Sequence, residues 1–232
     1  MLTENYEAVM DRVIKACKRS GRDPESVRLI PVSKTKPNEM IMELYDHGVR
    51  AFGENYVQEL SDKINSMPAD IEWHMIGHLQ RNKVKYIVGK VAMIHSVDSV
   101  RLAEEINKRS LERGVVTEIL AEVNIAREEN KFGFKTDEVC DFARAVSSME
   151  GIRLTGLMTS APYVSDPEEN RGYFAKMHDL YVDIGKKNID NVRMNNLSMG
   201  MTNDYEVAIE EGATIIRIGT AIFGDRHYGA KQ

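Results

Sequence analysis

The 232-residue chain is poor in several residue types, and each shortage removes a class of protein. It has two cysteines, Cys17 and Cys140, in separate helical patterns and without a CxxC partner. Neither a disulfide framework nor a zinc site is indicated. No apolar run approaches the roughly 18 residues that a membrane helix needs. Met1–Lys18 lacks the apolar stretch and cleavage site of a secretory leader. Basic residues are in the minority, Lys+Arg 31 against Asp+Glu 36, and the net charge of -5 argues against nucleic-acid binding as the main activity. The composition of disordered chains is missing too, since 42% of the residues are hydrophobic and 29% charged. There is no low-complexity linker, charge block or internal repeat. The expectation is one soluble, cytoplasmic, monomeric domain over residues 1–232, with a core that needs no covalent staple.

What the chain does have is a repeating order of elements. Residues 1–20 read as an amphipathic helix with Leu2, Tyr6, Val9, Val13 and Cys17 on one face, stopped by Gly21 and Asp23-Pro24. Short apolar runs follow at Val27–Ser33, Val49–Gly53, Ile71–Gly77, Ala92–Val97, Thr117–Asn124, Arg153–Met158, Val192–Ser198 and Thr214–Gly219. The spacers carry helical patterns, clearest at Val139, Phe142, Ala143 and Val146. Leu29-Ile30-Pro31-Val32 is apolar at successive positions, as in strands of a parallel sheet covered on both faces. Eight strands alternating with helices over residues 27–224 predict an α/β fold, a single (β/α)8 TIM barrel with an extra N-terminal helix and a short C-terminal end. The chain ends thirteen residues after Gly219, too soon for a full eighth unit, so the N-terminal helix is expected to cover part of the gap. A doubly wound sheet has the same periodicity and remains the rival.

Functional groups of a barrel belong at the carboxyl ends of its strands. Lys34 ends the first run, where desolvation would lower its pKa and make the amine a nucleophile towards carbonyls. Lys36 precedes Pro37, a good first helical residue, and is expected to face solvent. The seventh run ends Leu197-Ser198-Met199-Gly200-Met201 before Thr202-Asn203-Asp204, and the eighth ends Arg217-Ile218-Gly219-Thr220. Glycines and hydroxyls in these two loops fit a phosphate site. Asp204, Glu206 and Glu210 lie further along the next helix and need not touch an anion. A reactive lysine beside a phosphate cradle suggests a phosphorylated carbonyl held as a Schiff base, in a sugar-phosphate aldolase or a pyridoxal 5′-phosphate (PLP) protein. Arg217, charged within an apolar run, either faces the ligand or pairs with a carboxylate such as Glu54 or Glu72. A guanidinium only donates, so opposite a pyridine nitrogen it would keep that nitrogen unprotonated.

These residues, together with Phe52-Gly53-Glu54-Asn55-Tyr56-Val57-Gln58-Glu59, Trp73–Lys83, His95-Ser96-Val97-Asp98, Gly156-Leu157-Met158 and the run to Gly224, resemble the YggS/PROSC family of pyridoxal phosphate homeostasis proteins. The resemblance covers Val27 to Gly224 and sets the aldolase reading aside. It implies a PLP-binding barrel similar to the N-terminal domain of alanine racemase. Lys34 resembles the lysine that carries PLP as an internal aldimine, and Ser198, Gly200, Gly219 and Thr220 resemble the phosphate cradle. Arg217 resembles the arginine facing the pyridine nitrogen, Asn55 a neighbour of the ring or the lysine, and Met158 and Met199 residues packed near the cofactor. The implied role is a carrier that buffers PLP or delivers it to apo PLP-dependent enzymes, without strong catalysis of its own. An arginine at the pyridine makes a weak electron sink. The racemases also use a tyrosine from a second domain, and this chain ends at Gln232. A racemase-like enzyme of fold type III is the alternative.

Three features stay in the background. His74 and His78 are four apart but straddle a strand end, so no metal pair is expected. Arg81, Asn82, Lys83 and Lys85 read as solvated surface, with an anion or partner contact as the alternative. Most of the 13 methionines read as core filler, apart from Met158, Met199 and Met201 at the barrel mouth.

Overall fold

The computed structural model describes residues 1–224. Helix α1 (Leu2–Arg19) buries Leu2, Val9, Val13, Ala16 and Cys17 along one face, and Gly21 takes the left-handed backbone (φ +67°) just past its end. The chain then alternates: β1 (Arg28–Pro31), α2 (Asn38–Asp46), β2 (Ala51–Glu54), α3 (Val57–Ser66), β3 (Glu72–Met75), a 3-10 turn at Arg81–Lys83 with α4 (Val84–Ile87), β4 (Met93–Val97) and α5 (Val100–Glu112). It continues with β5 (Thr117–Glu122), α6 (Val139–Val146), β6 (Ile152–Met158), α7 (Arg171–Lys186), β7 (Val192–Ser198), α8 (Tyr205–Glu210), β8 (Ile215–Ile218) and α9 (Thr220–Phe223). Each expected strand is present: β7 has the expected bounds, and the others differ by a few residues at their ends.

All eight strands pair in parallel, in the order β1-β8-β7-β6-β5-β4-β3-β2. The two ends of this ladder meet. Val32 bridges Gly53, and the Ser33 N–H donates to the Gly53 carbonyl at 3.0 Å. That closure excludes the doubly wound alternative, whose sheet has two open edges. Ile30, Ala51, Met93, Leu120, Met158 and Ile215 fill the interior, while a larger apolar layer lies between the strands and the helices. Helix α1 packs against α2, α8 and α9, and Asn5 Nδ2 donates to the Ile222 carbonyl at 3.1 Å. It thus covers the side where the eighth helix is only one turn long.

Between β6 and β7 the register shifts at Gly156, where an added Cβ would lie 1.8 Å from the Asn196 carbonyl oxygen. No side chain can yield there, because the obstacle is backbone. Gly156→Ala is therefore expected to destabilise the barrel by on the order of 3 kcal/mol, at the upper end of single-site effects. Urea unfolding measures this, and a variant of wild-type stability would show that the β6–β7 contact can open without cost.

Candidate functional site

A cavity of about 540 Å³ opens at the carboxyl ends of the strands, a volume within the usual range for small-ligand sites. Lys34, Lys36, Asn55, Ile76, Ser160, Tyr163, Met201, Thr202, Asn203, Asp204, Arg217, Gly219 and Thr220 are among its lining residues. Five expected site residues therefore converge: Lys34, Asn55, Arg217, Gly219 and Thr220. Met158, Ser198, Met199 and Gly200 do not line the cavity. The two-residue period of a strand explains this for Met199. Met158 belongs to the apolar interior, Ser198 is fully buried within the barrel, and Met199 points outward into the helix-facing core. Gly200 (φ +92°) lies against α8, where an added Cβ would meet Ala208 Cβ at 2.6 Å. Of the three methionines expected at the mouth, only Met201 is there.

The turn that carries Lys34 is held from below by a buried ionic cluster. Lys63 Nζ, from α3, donates to Glu54 Oε1 (2.7 Å), Glu59 Oε1 (2.6 Å) and the Ser33 carbonyl (2.8 Å). The Ser33 hydroxyl donates to the same Glu54 oxygen at 2.6 Å, and the Thr35 N–H donates to Glu59 Oε1 at 2.6 Å. Thr35 sits in the left-handed region (φ +62°), so the turn is strained and needs this support. Burial pushes the Glu54 carboxyl up, while Lys63 and Ser33 pull it down. Lys36 does not face open solvent as expected. Its ammonium donates to the carbonyls of Phe223 (3.0 Å) and Gly224 (3.2 Å), and Pro37 caps α2 rather than opening it.

Arg217 is buried among neutral acceptors. It donates to Ser198 Oγ (2.7 Å), the Thr159 carbonyl (2.8 Å) and Ser160 Oγ (3.4 Å). Burial lowers its pKa to about 10, with Asp204 and Glu122 opposing at longer range. The expected alternative partners are engaged elsewhere, Glu54 with Lys63 and Glu72 with Arg28. Asp204 caps the turn after β7 by accepting from the Met201 N–H (2.7 Å), and its other oxygen accepts from Asn170 (2.8 Å). Glu206 and Glu210 pair with arginines on the helices, away from the cavity. The two histidines separate: His74 points inside the barrel to His95, whereas His78 stacks on Phe132 (3.7 Å) and faces Asp98 (3.3 Å). Lys83 and Lys85 both lie over the Tyr86 ring.

Sequence reading missed Lys63, His95 and Tyr163. The Glu59–Lys63 spacing of four on a helix was the available signal for the first. The cavity fits PLP by its donors. It presents two lysines, a guanidinium and hydroxyls from Ser160, Thr202 and Thr220, and the buried Asn55 Oδ1 has no hydrogen-bond partner.

The model of the alanine racemase N-terminal domain family matches residues 5–227. Over 226 residues the chain is 44% identical to the pyridoxal phosphate homeostasis protein of Aquifex aeolicus, covering 97% of this chain and 98% of that one. The chain belongs to the pyridoxal phosphate homeostasis protein family. The Escherichia coli K12 member is 37% identical over 235 residues, 99% of each chain. Among solved structures, PipY of Synechococcus elongatus, with PLP bound, superposes with a TM-score of 0.82 at 32% identity, covering 97% of this chain and 100% of that one. An alanine racemase of Clostridium difficile shares the fold at a TM-score of 0.72 and 14% identity, with 98% of this chain covering 57% of that one.

In this member of the homeostasis family, one carboxyl near the site titrates far from its ordinary range. Glu122, at the end of β5, is pushed up from 4.5 to about 7 by burial and by Asp98, against the pull of Arg217. Its Oε2 has no hydrogen-bond partner among the described residues. The folded state thus binds this proton more tightly than the unfolded chain. The resulting stability is present below pH 4.5 and is lost as the pH rises to about 7. Glu122→Gln is expected to remove on the order of 2–3 kcal/mol of that pH dependence. Urea titrations at pH 5 and pH 8 check it. Parallel losses in wild type and variant would place the proton elsewhere.

Proposed function

We propose that this protein holds PLP in the cavity at the strand ends, anchored covalently and reversibly at Lys34, and that it buffers the cofactor and hands it to apo-enzymes. The observation that carries this reading is the convergence of Lys34, Asn55, Arg217, Gly219 and Thr220 on one cavity. When bound, PLP supplies an aldehyde that condenses reversibly with a primary amine, releasing water. The Glu54–Lys63–Glu59 cluster fixes the turn from which the Lys34 side chain reaches into the cavity. Gly219 and Thr220 after β8, with Thr202 and Asn203 after β7, would receive the phosphate, and Lys36 adds positive charge at the same mouth. Ser198 and Gly200 then support that wall from behind. Asn55 lines the same cavity and would sit beside the ring or the lysine.

Arg217 favours a carrier over a catalyst. It can only donate, so it leaves the ring nitrogen as an acceptor without a proton, and an unprotonated pyridine is a poor electron sink. Holding the cofactor needs no electron sink, whereas carbanion chemistry does. Names of relatives that refer to homeostasis agree with this reading. A racemase-like reading has one observation in its favour, because Tyr163 lines the same cavity, yet that residue is 88% exposed and no hydrogen bond from the described residues orients it.

Purified protein mixed with PLP is expected to show a visible absorption band that survives desalting and disappears in Lys34→Ala. An unchanged band in the variant would move the anchor to another amine. An amino-acid racemisation and transamination screen is expected to give turnover no faster than free PLP. Clear turnover that is lost in Tyr163→Phe would establish the enzymatic reading instead.

A further inference from the structure

Arg217 is the last member of a line of buried hydrogen bonds that crosses the barrel interior. From Arg217 Nη1 the line runs to Ser198 Oγ (2.7 Å), then to His95 Nδ1 (3.0 Å), and from His95 Nε2 to His74 Nδ1 (2.9 Å). All four residues are at most 4% exposed. None of the three beyond Arg217 lines the cavity.

The direction of the protons follows from what each group can do. A guanidinium has no acceptor, so Ser198 must accept from Arg217. Its hydroxyl proton then has one neighbouring acceptor, His95 Nδ1. His95 therefore carries its own proton on Nε2 and donates to His74 Nδ1, which leaves the His74 proton on Nε2. That nitrogen is buried and has no hydrogen-bond partner among the described residues. The reverse arrangement, with His95 Nδ1 donating to Ser198, would strand both the serine proton and the His74 Nε2 lone pair. A one-way line strands a single N–H, and it is the cheaper state. Both imidazoles are neutral at ordinary pH. Burial and nearby Arg28 lower His74 to about 3, and burial, His74 and Arg217 lower His95 well below 6.5.

We infer that Ser198, His95 and His74 form a one-way hydrogen-bond relay that sets the orientation of Arg217, with His95 as a positioning residue acting through Ser198. The role of that orientation towards a pyridine nitrogen rests on the PLP reading above, whereas the relay itself does not. The relay gives the guanidinium a fixed acceptor on its barrel side, where a simple apolar wall would leave it free to tilt. It also places the decisive contact on β4, far in sequence from the β8 arginine it serves.

Two measurements test it. In the ligand-free protein, long-range proton–nitrogen NMR is expected to find both His74 and His95 protonated on Nε2 alone. Protonation of His95 on Nδ1 would overturn the relay, whatever the protein binds. In the PLP-loaded protein, His95→Leu is expected to displace the visible band and to weaken PLP retention roughly tenfold. His95→Asn, which keeps an acceptor near the Nδ1 position, should restore the wild-type band. Ser198→Ala serves as the second break if His95→Leu fails to fold. A wild-type band in His95→Leu, or in Ser198→Ala where that variant is used, would overturn the positioning role. Absence of any visible band in wild type would instead sink the PLP reading and leave the NMR result to decide the relay.

Discussion

One buried ammonium holds the seam of this barrel. Strands β1 and β2 are the ends of the hydrogen-bonded ladder, joined by the Val32–Gly53 bridge, which includes the bond from the Ser33 N–H to the Gly53 carbonyl. At that same seam Lys63 ties the end of β1, through the Ser33 carbonyl, to Glu54 on β2 and Glu59 on α3. Removing one partner of such a cluster would leave an uncompensated charge, at a cost of about 3–5 kcal/mol. The arrangement has a second consequence, because the turn secured by Ser33 and Thr35 is the one that presents Lys34. Barrel closure and placement of Lys34 therefore depend on the same contacts.

The two buried cations near the cavity are treated in opposite ways. Lys63 is surrounded by carboxylates and is spent on structure. Arg217 meets only hydroxyl and carbonyl oxygens at close range, and burial makes its proton easier to lose than usual. A desolvated cation without an adjacent carboxylate favours an electron-rich ligand atom in front of it. In the proposed reading, the charge at the cavity wall is what ligand binding would draw on, and the donor-only chemistry of the guanidinium favours holding a cofactor over activating it.

Much of this was legible in the sequence, for identifiable reasons. Strands buried on both faces show as apolar runs, so Leu29–Val32 and Ile215–Ile218 could be read directly. Strand ends then located Lys34, Asn55, Arg217, Gly219 and Thr220. Closure was expected from the count of eight strands, but period alone does not separate a barrel from an open sheet, and Val32 meeting Gly53 across the seam is what does. The inward or outward sense of single residues was lost: Ser198 and Met199 are adjacent, yet one faces the interior and the other the helices. Tyr163 and Ser160 lie in a loop, where no period places side chains. His95 sits in a strand whose residues are all buried, and nothing in Ile94-His95-Ser96 marks it as the partner of a serine on another strand.

In the proposed reading, Lys34 is the amine that takes the cofactor. Borohydride reduction of the PLP-loaded protein, followed by peptide mapping by mass spectrometry, tests this. The account predicts a pyridoxyl label on the peptide containing Lys34, located by fragmentation to that residue. A label on Lys36 or on any other lysine, with Lys34 unmodified, would contradict it.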